Sequence, residues 1–166
     1  MSILPKDFAT HYKSPLGMMT MTSDGSHITG LWFDGQEHLP ISTELIYIDL
    51  STLRVFKQAK NWLDTYFSGD IPDFLPPILL RTTSFRRSVL EYLLTIPYGH
   101  TTTYGNIAER YGHRSARAVG GAVSKNPIML MIPCHRVVGT RGRLTGYAGG
   151  LDRKIRLLKK EKVLVL

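Results

Sequence analysis

Cysteine is almost absent from this chain: Cys134 is the only one in 166 residues. A single thiol permits no internal disulfide and excludes any zinc site built from several cysteines. It points to a reducing, cytoplasmic compartment, or a nuclear one in a eukaryote. Long apolar runs are missing too, with no window approaching the about 18 unbroken apolar residues of a membrane span. The segment Met1–Asp7 lacks the basic head and apolar core of a signal peptide. Acids are scarce in the second half. Residues 81–166 hold four Asp+Glu against 16 Lys+Arg, a balance of +12, whereas residues 1–80 hold nine against five, a balance of −4. The net charge of +8 is therefore an acidic front joined to a basic back. Such asymmetry suggests a polyanion partner for the back half, and the bland alternative is a solvated basic face. What remains, 43% hydrophobic and 20% charged, describes a soluble globular protein of one domain or two small ones.

The front half reads as a small sheet with one helix. His11–Gly17 is a strand entering a Pro/Gly turn, Met18–Ser23 returns, and Asp24-Gly25 is a hairpin turn signal before Ile28–Phe33. Residues 36–50 look irregular, with Ile46–Ile48 as a short edge. Val55, Ala59, Trp62, Leu63 and Tyr66 recur at helical spacing within Ser51–Ser68, and Pro72, Pro76 and Pro77 mark a linker. These features set domain boundaries of 1–78 and 79–166. No nucleophile constellation, phosphate loop or metal spacing occurs in the front half, so scaffold is the expectation.

The back half is helical. Phe85, Val89, Leu93 and Ile96 form one apolar stripe, Thr101–Thr103 offer caps for a helix from Tyr104 to about Arg110, and Ser115 caps a third from Ala116 to about Lys125. Two short helices across Gly112-His113-Arg114 make a helix-turn-helix pattern. Ala116, Val119 and Val123 are expected inward, with Ala118, Gly121 and Ala122 elsewhere on the third helix. Glycines inside a helix cost about 1 kcal/mol each relative to alanine, so close approach of another backbone, protein or DNA, should offset them. Arg117 is the one long cation in this small-residue field, either in solvent or on a partner. Asn126-Pro127 ends the helix. The apolar run Ile128–Ile132 then makes a strand-like approach to Cys134-His135-Arg136-Val137. A thiol beside such cations is expected to titrate below its usual value of about 8.5, although free cysteine is also often inert core. Gly139-Thr140-Arg141-Gly142-Arg143 is a turn-rich basic loop. A closing helix from Leu151 to about Val163 carries Ile155 and Leu158 inward and its lysines and arginines outward, with Glu161 an isolated acid among lysines.

Pro133-Cys134-His135-Arg136-Val137 resembles the active-site signature of the O6-alkylguanine-DNA alkyltransferases (methylated-DNA–protein-cysteine methyltransferases). Ile96-Pro97-Tyr98-Gly99, Tyr104-Gly105, Ala116–Gly120, Asn126-Pro127 and Tyr147–Leu151 are similar to that family's segments in the family's order. The resemblance covers roughly residues 82–162 and is weaker in the front half. It implies an α/β (α+β) chain: a ribonuclease H-like sheet-plus-helix domain, then a winged-helix-like helix-turn-helix domain. It implies irreversible, single-use transfer of an alkyl group from O6-alkylguanine, and from O4-alkylthymine, in DNA to Cys134. His135 is then the base toward the thiol through a water, Glu161 orients the imidazole, Tyr104 assists the leaving base, and Asn126 ties the recognition helix to the cysteine segment. Tyr104, Val137, Tyr147 and Ala148 would form the base pocket. Arg117 would fill the gap left by an everted base, in the minor groove of double-stranded DNA, with Ser115, Ala116, Ala118, Gly120, Gly121, Lys125 and Arg136 as further DNA contacts. No cofactor, metal or membrane is implied, and the chain would act as a monomer or as several copies along DNA. The departures are a short turn at Gly112–Arg114, Ala148 in place of serine, and Leu90 in place of a frequent aromatic.

Two rival readings stand beside this one. The first is a helix-turn-helix module that binds alkylated DNA without transfer. The second is a cysteine hydrolase, which the lack of a separate histidine–amide pair and the strong basic bias disfavour.

Overall fold

The computed structural model describes residues 6–39, 44–112 and 115–163. The chain divides into two compact units, Met1–Arg81 and Thr82–Leu166. The division falls beyond the expected 78/79 because Ile78 bridges to Ile28 and Arg81 pairs with Asp7, both within the first unit.

The first unit is a four-stranded sheet in the order β3-β2-β1-β4, with one helix. Strands β1 (Lys6–Ser14), β2 (Gly17–Ser23) and β3 (Ile28–Phe33) form an antiparallel meander, and β4 (Glu44–Tyr47) pairs parallel to β1 at the edge. β1 starts earlier than the alternation around His11 suggests. Asp7 sits buried within it and interrupts the apolar pattern. Its carboxylate is satisfied by Arg81 Nη1 at 2.8 Å and the Thr29 hydroxyl at 2.8 Å, so a buried charge sits where an apolar residue would be expected. A short 3-10 turn at Leu50–Thr52, capped by Asp49, precedes α1 (Arg54–Phe67), which begins later than expected. Val55, Phe56, Ala59, Trp62, Leu63 and Tyr66 are the buried residues of α1.

The second unit is mainly helical. α2 (Ser84–Leu93), α3 (Tyr104–Arg110) and α4 (Ala116–Ser124) each start at a hydroxyl cap, with Thr83, Thr103 and Ser115 accepting from the backbone N–H of Arg86, Asn106 and Ala118. α3 and α4 are the helix-turn-helix pair; His113 and Arg114 of its expected turn lie outside the described residues. Strands β5 (Thr102–Thr103) and β6 (Val137–Val138) pair in parallel, bringing the start of α3 beside the segment after Cys134. This two-residue pairing across distant sequence leaves no local signature. α5 (Leu151–Lys160) closes the unit and ends at Glu161 rather than near Val163. No helix among the described residues is long and apolar enough to cross a membrane.

The approach to Cys134 is not a strand. Ile128–Ile132 is a series of tight turns, with Met131 N–H on Met129 O, Ile132 N–H on Ile128 O, and Leu130 at φ +69°. All five side chains are buried. Uninterrupted apolarity reports burial, and periodicity alone could not distinguish strand from buried turn. A 3-10 turn, Cys134–Arg136, then carries the reactive segment.

Candidate active site

Asn126, at the end of α4, fixes the cysteine segment from within. Its Nδ2 donates to Ile132 O at 2.8 Å and its Oδ1 accepts from Ile128 N–H at 2.9 Å. One buried amide thus clamps both ends of the turn series beside the end of α4. The Cys134 thiol, 4% exposed, lies at the floor of this arrangement, 3.8 Å from the Met129 sulfur. Burial pushes its pKa up to about 11, against smaller opposing pulls from the Asn126 side chain and the Lys154 charge. The expectation of a thiol depressed by neighbouring cations is therefore corrected. The cations beside it in sequence are committed elsewhere.

Their partner is Glu161. His135, fully buried, meets Glu161 Oε2 through Nε2 at 2.5 Å. Arg136 Nε donates to Oε1 at 2.8 Å and Nη2 to Oε2 at 3.2 Å, while Nη1 donates to Ile96 O at 2.7 Å. The Gly99 N–H reaches Oε1 at 3.0 Å. Gly99 has φ +80°, and a Cβ there would stand 3.2 Å from the Glu161 carbonyl oxygen, so the loop accepts glycine at little cost and other residues poorly. Burial works against ionisation of Glu161, but the hydrogen bonds and charges of His135 and Arg136 prevail and hold its carboxyl down to about 2. Burial lowers the basicity of His135, and the Glu161 contact opposes that. Arg136, expected on DNA, is instead an internal cation, 9% exposed, because its guanidinium is spent on Glu161 and a backbone carbonyl. Glu161, isolated among lysines in the sequence, is not a solvated charge: the cap of α5 turns it inward to 2% exposure.

Lys154 was missed. Its helix reads as basic and outward, yet this lysine is 0% exposed, and Nζ donates to Val137 O at 2.6 Å, Thr145 O at 2.9 Å and Gly146 O at 3.4 Å. Burial lowers its pKa to about 8. Position 154 lies between Leu151 and Leu158 along the helix, on the side that Leu157 and Leu158 bury, and this phase was the available signal. The carbonyl of Val137, a residue expected in the base pocket, accepts from this ammonium.

Tyr104, the first residue of α3, lines an open cavity of about 710 Å³ with Ala116, Arg141, Arg143 and Thr145. Burial raises its phenol pKa, as does the nearness of the Cys134 charge, while a hydrogen bond with Thr145 opposes them. Gly120 faces this ring, whose Cδ1 would lie 3.9 Å from a Cβ there. Burial likewise holds the Tyr147 phenol well above its usual pKa, with the Cys134 charge adding to the effect, and no hydrogen-bond partner for its buried hydroxyl occurs among the described residues. Ala148 is half-buried beside it. On α4, Ser115, Ala116, Arg117, Ala118, Gly121 and Lys125 are exposed, while Val119, Ala122 and Val123 are buried. Ala116 and Ala122 thus exchange their expected positions. The exposed side of α4 carries little bulk besides Arg117 and the lysine at its end.

Two family models match in succession: "6-O-methylguanine DNA methyltransferase, ribonuclease-like domain" over residues 8–78 and "6-O-methylguanine DNA methyltransferase, DNA binding domain" over 84–163. The chain belongs to the 6-O-methylguanine DNA methyltransferase family. It is 44% identical to the methylated-DNA–protein-cysteine methyltransferase of Mycobacterium leprae, over 92% of this chain and 91% of that one. The Haemophilus influenzae methyltransferase is 37% identical over 94% and 87%. Among solved structures, Mycobacterium tuberculosis OGT in complex with DNA superposes with a TM-score of 0.84 at 40% identity, covering 93% of this chain and 92% of that chain. The O6-methylguanine-DNA methyltransferase of Pyrococcus kodakaraensis superposes at 0.67 with 28% identity, covering 93% and 99%. Within a 6-O-methylguanine DNA methyltransferase, a buried thiol next to a Glu161–His135 pair and a tyrosine-lined cavity has an immediate chemical reading.

Proposed function

We propose that this chain repairs alkylated DNA by direct reversal, moving a methyl or larger alkyl group from O6 of guanine, and from O4 of thymine, onto its own Cys134. The family's name states the class of transfer, and the local geometry supports it. The observation that carries the reading is a lone buried thiol on a segment held by Asn126, with an oriented imidazole next in the chain and a cavity-lining Tyr104 within range of its charge.

With Nε2 donating to Glu161, Nδ1 is the basic nitrogen of His135, and it takes the thiol proton through a water. Sγ attacks the alkyl carbon, the C–S bond forms and the C–O bond breaks. The electron pair passes to the purine, and the Tyr104 hydroxyl supplies a hydrogen bond or proton to the leaving base. A thioether does not reverse, so each molecule acts once. Tyr147 and Ala148 border the base. Arg117 enters the minor groove of the duplex and fills the stack, with Ser115, Ala116, Ala118, Gly120, Gly121 and Lys125 against the backbone. The protein works as a monomer, in the reducing compartment that keeps Cys134 a thiol.

Incubation with a duplex containing O6-methylguanine, followed by mass analysis of the intact chain and its peptides, tests this. One methyl on the Cys134 peptide, absent from Cys134→Ser, is expected, while that variant retains DNA affinity within about threefold. An unmodified peptide from protein that binds the duplex would favour the non-transferring module.

A further inference from the structure

The basic loop between β6 and Tyr147 has no part in the chemistry above, yet it is built to be stiff. Gly139 N–H donates to Arg143 O at 2.7 Å, Gly142 N–H to Gly139 O at 3.1 Å and Arg143 N–H to Thr140 O at 3.2 Å. A Cβ on Gly139 would sit 3.1 Å from the Arg143 carbonyl oxygen, so glycine is what lets the loop close. Arg141 stands at φ +60° in the left-handed region. Both feet of the loop are tied to one buried ammonium, since Lys154 Nζ holds Val137 O on one side and Thr145 O and Gly146 O on the other. A non-glycine residue held in the left-handed region of so constrained a backbone is the kind of outlier that gathers at ligand-binding sites.

The loop's side chains indicate which ligand. Arg141 and Arg143 are exposed, and among the described residues neither makes an ion pair. Both line the cavity that Tyr104, Ala116 and Thr145 share, and Tyr104 lies within range of the Cys134 charge, so the cations border the same cavity as the phenol assigned to the leaving base. We propose that Arg141 and Arg143 form a phosphate clamp that grips the backbone of the lesion-bearing strand beside the everted nucleotide. The clamp rests on the DNA-repair reading above and adds to it a second anchor, on a loop that lines the same cavity as Ala116 of α4. Guanidinium forks suit phosphate oxygens, and a preorganised loop loses little freedom in engaging them.

The salt dependence of binding tests it. Equilibrium affinity for a duplex bearing O6-methylguanine is measured in the Cys134→Ser background across a range of KCl concentrations. R141Q/R143Q is expected to bind at least about tenfold more weakly near 0.1 M salt, and the slope of log K against log salt should become shallower by about 2, the loss of two phosphate contacts. R141K/R143K keeps the charges and should keep most of the slope. R156Q/K159Q removes the same charge from exposed positions on α5 and should leave the slope nearly as it was. An unchanged slope in R141Q/R143Q, an equal fall in R156Q/K159Q, or loss of slope in the lysine pair overturns the clamp. Methyl transfer by the unaltered protein is assayed alongside. If it fails, the repair reading itself is wrong; if it succeeds without a slope change, the clamp alone is wrong.

Discussion

Neither Arg136 nor Cys134 has the electrostatic setting that its place in the sequence suggests. The arginine is adjacent to the thiol in the chain, yet its guanidinium points to Glu161 and Ile96 O, and the thiol is left in a buried setting that raises its pKa to about 11. A buried, multiply bonded cation is costly to remove, because the carboxylate it serves stays behind. Arg136→Met is therefore expected to lower unfolding free energy by about 3–5 kcal/mol in urea titrations, with the salt slope of DNA binding unchanged. A lost slope without lost stability would return Arg136 to the DNA surface. The same arrangement fixes a pH profile. The reactive form is neutral His135 with a protonated thiol, populated between their two pKa values. Burial lowers the histidine's from its ordinary 6.5, so single-turnover transfer should be flat near neutrality and fall only at a pH below that ordinary value. A tenfold rise per pH unit through about pH 7–9 would instead signal direct titration of the thiol, with no imidazole base.

At the scale of elements, the three capped helices were legible because each begins with a hydroxyl and carries apolar residues at helical spacing: Thr83, Thr103 and Ser115 each accept from the backbone N–H three residues on. The meander was legible from its turns. Three features were not. The run Ile128–Ile132 has no period, so burial was readable and conformation was not. The β5–β6 pair is two residues long and joins distant parts of the chain. Lys154 looked like one more surface lysine, since a charge pattern does not reveal that three carbonyls converge on one Nζ. Of the site itself, Cys134 and His135 were readable as a pair, whereas Glu161 gained its place only through the family resemblance, because the end of α5 is what turns it inward. The exposed side of α4 supports a prediction of its own. Arg117→Ala removes the only long side chain of α4, in its first turn, without touching the buried Val119, Ala122 and Val123. Repair of duplex substrate should slow by about tenfold or more, for the few kcal/mol that base extrusion costs, while a single-stranded methylated oligonucleotide is repaired at a nearly unchanged rate. Equal rates on duplex for the variant and the parent would contradict the wedge.

On the scale of the second unit as a whole, one carboxylate joins segments that are remote in sequence. Glu161 receives the Gly99 N–H from the loop after α2, the imidazole and guanidinium from the Cys134–Arg136 turn, and it sits at the end of α5. These contacts favour the ionised form, so its carboxyl titrates at about 2 in the fold against 4.5 as its ordinary value. For a carboxyl depressed by folding, the unfolded chain binds the proton first as pH falls. The associated stability is then fully present above about 4.5 and is lost progressively as pH drops toward about 2, to an extent on the order of 3 kcal/mol. Glu161→Gln cannot titrate and should lack this portion of the acid dependence while being less stable than the parent at neutral pH. Urea unfolding at a series of pH values separates the two effects: the difference in stability between parent and variant should be largest near neutrality and shrink below about pH 4.5. A constant difference down to about pH 2 would mean that Glu161 does not lose its charge-dependent contacts over this range, and that the unit is held at this junction by packing instead.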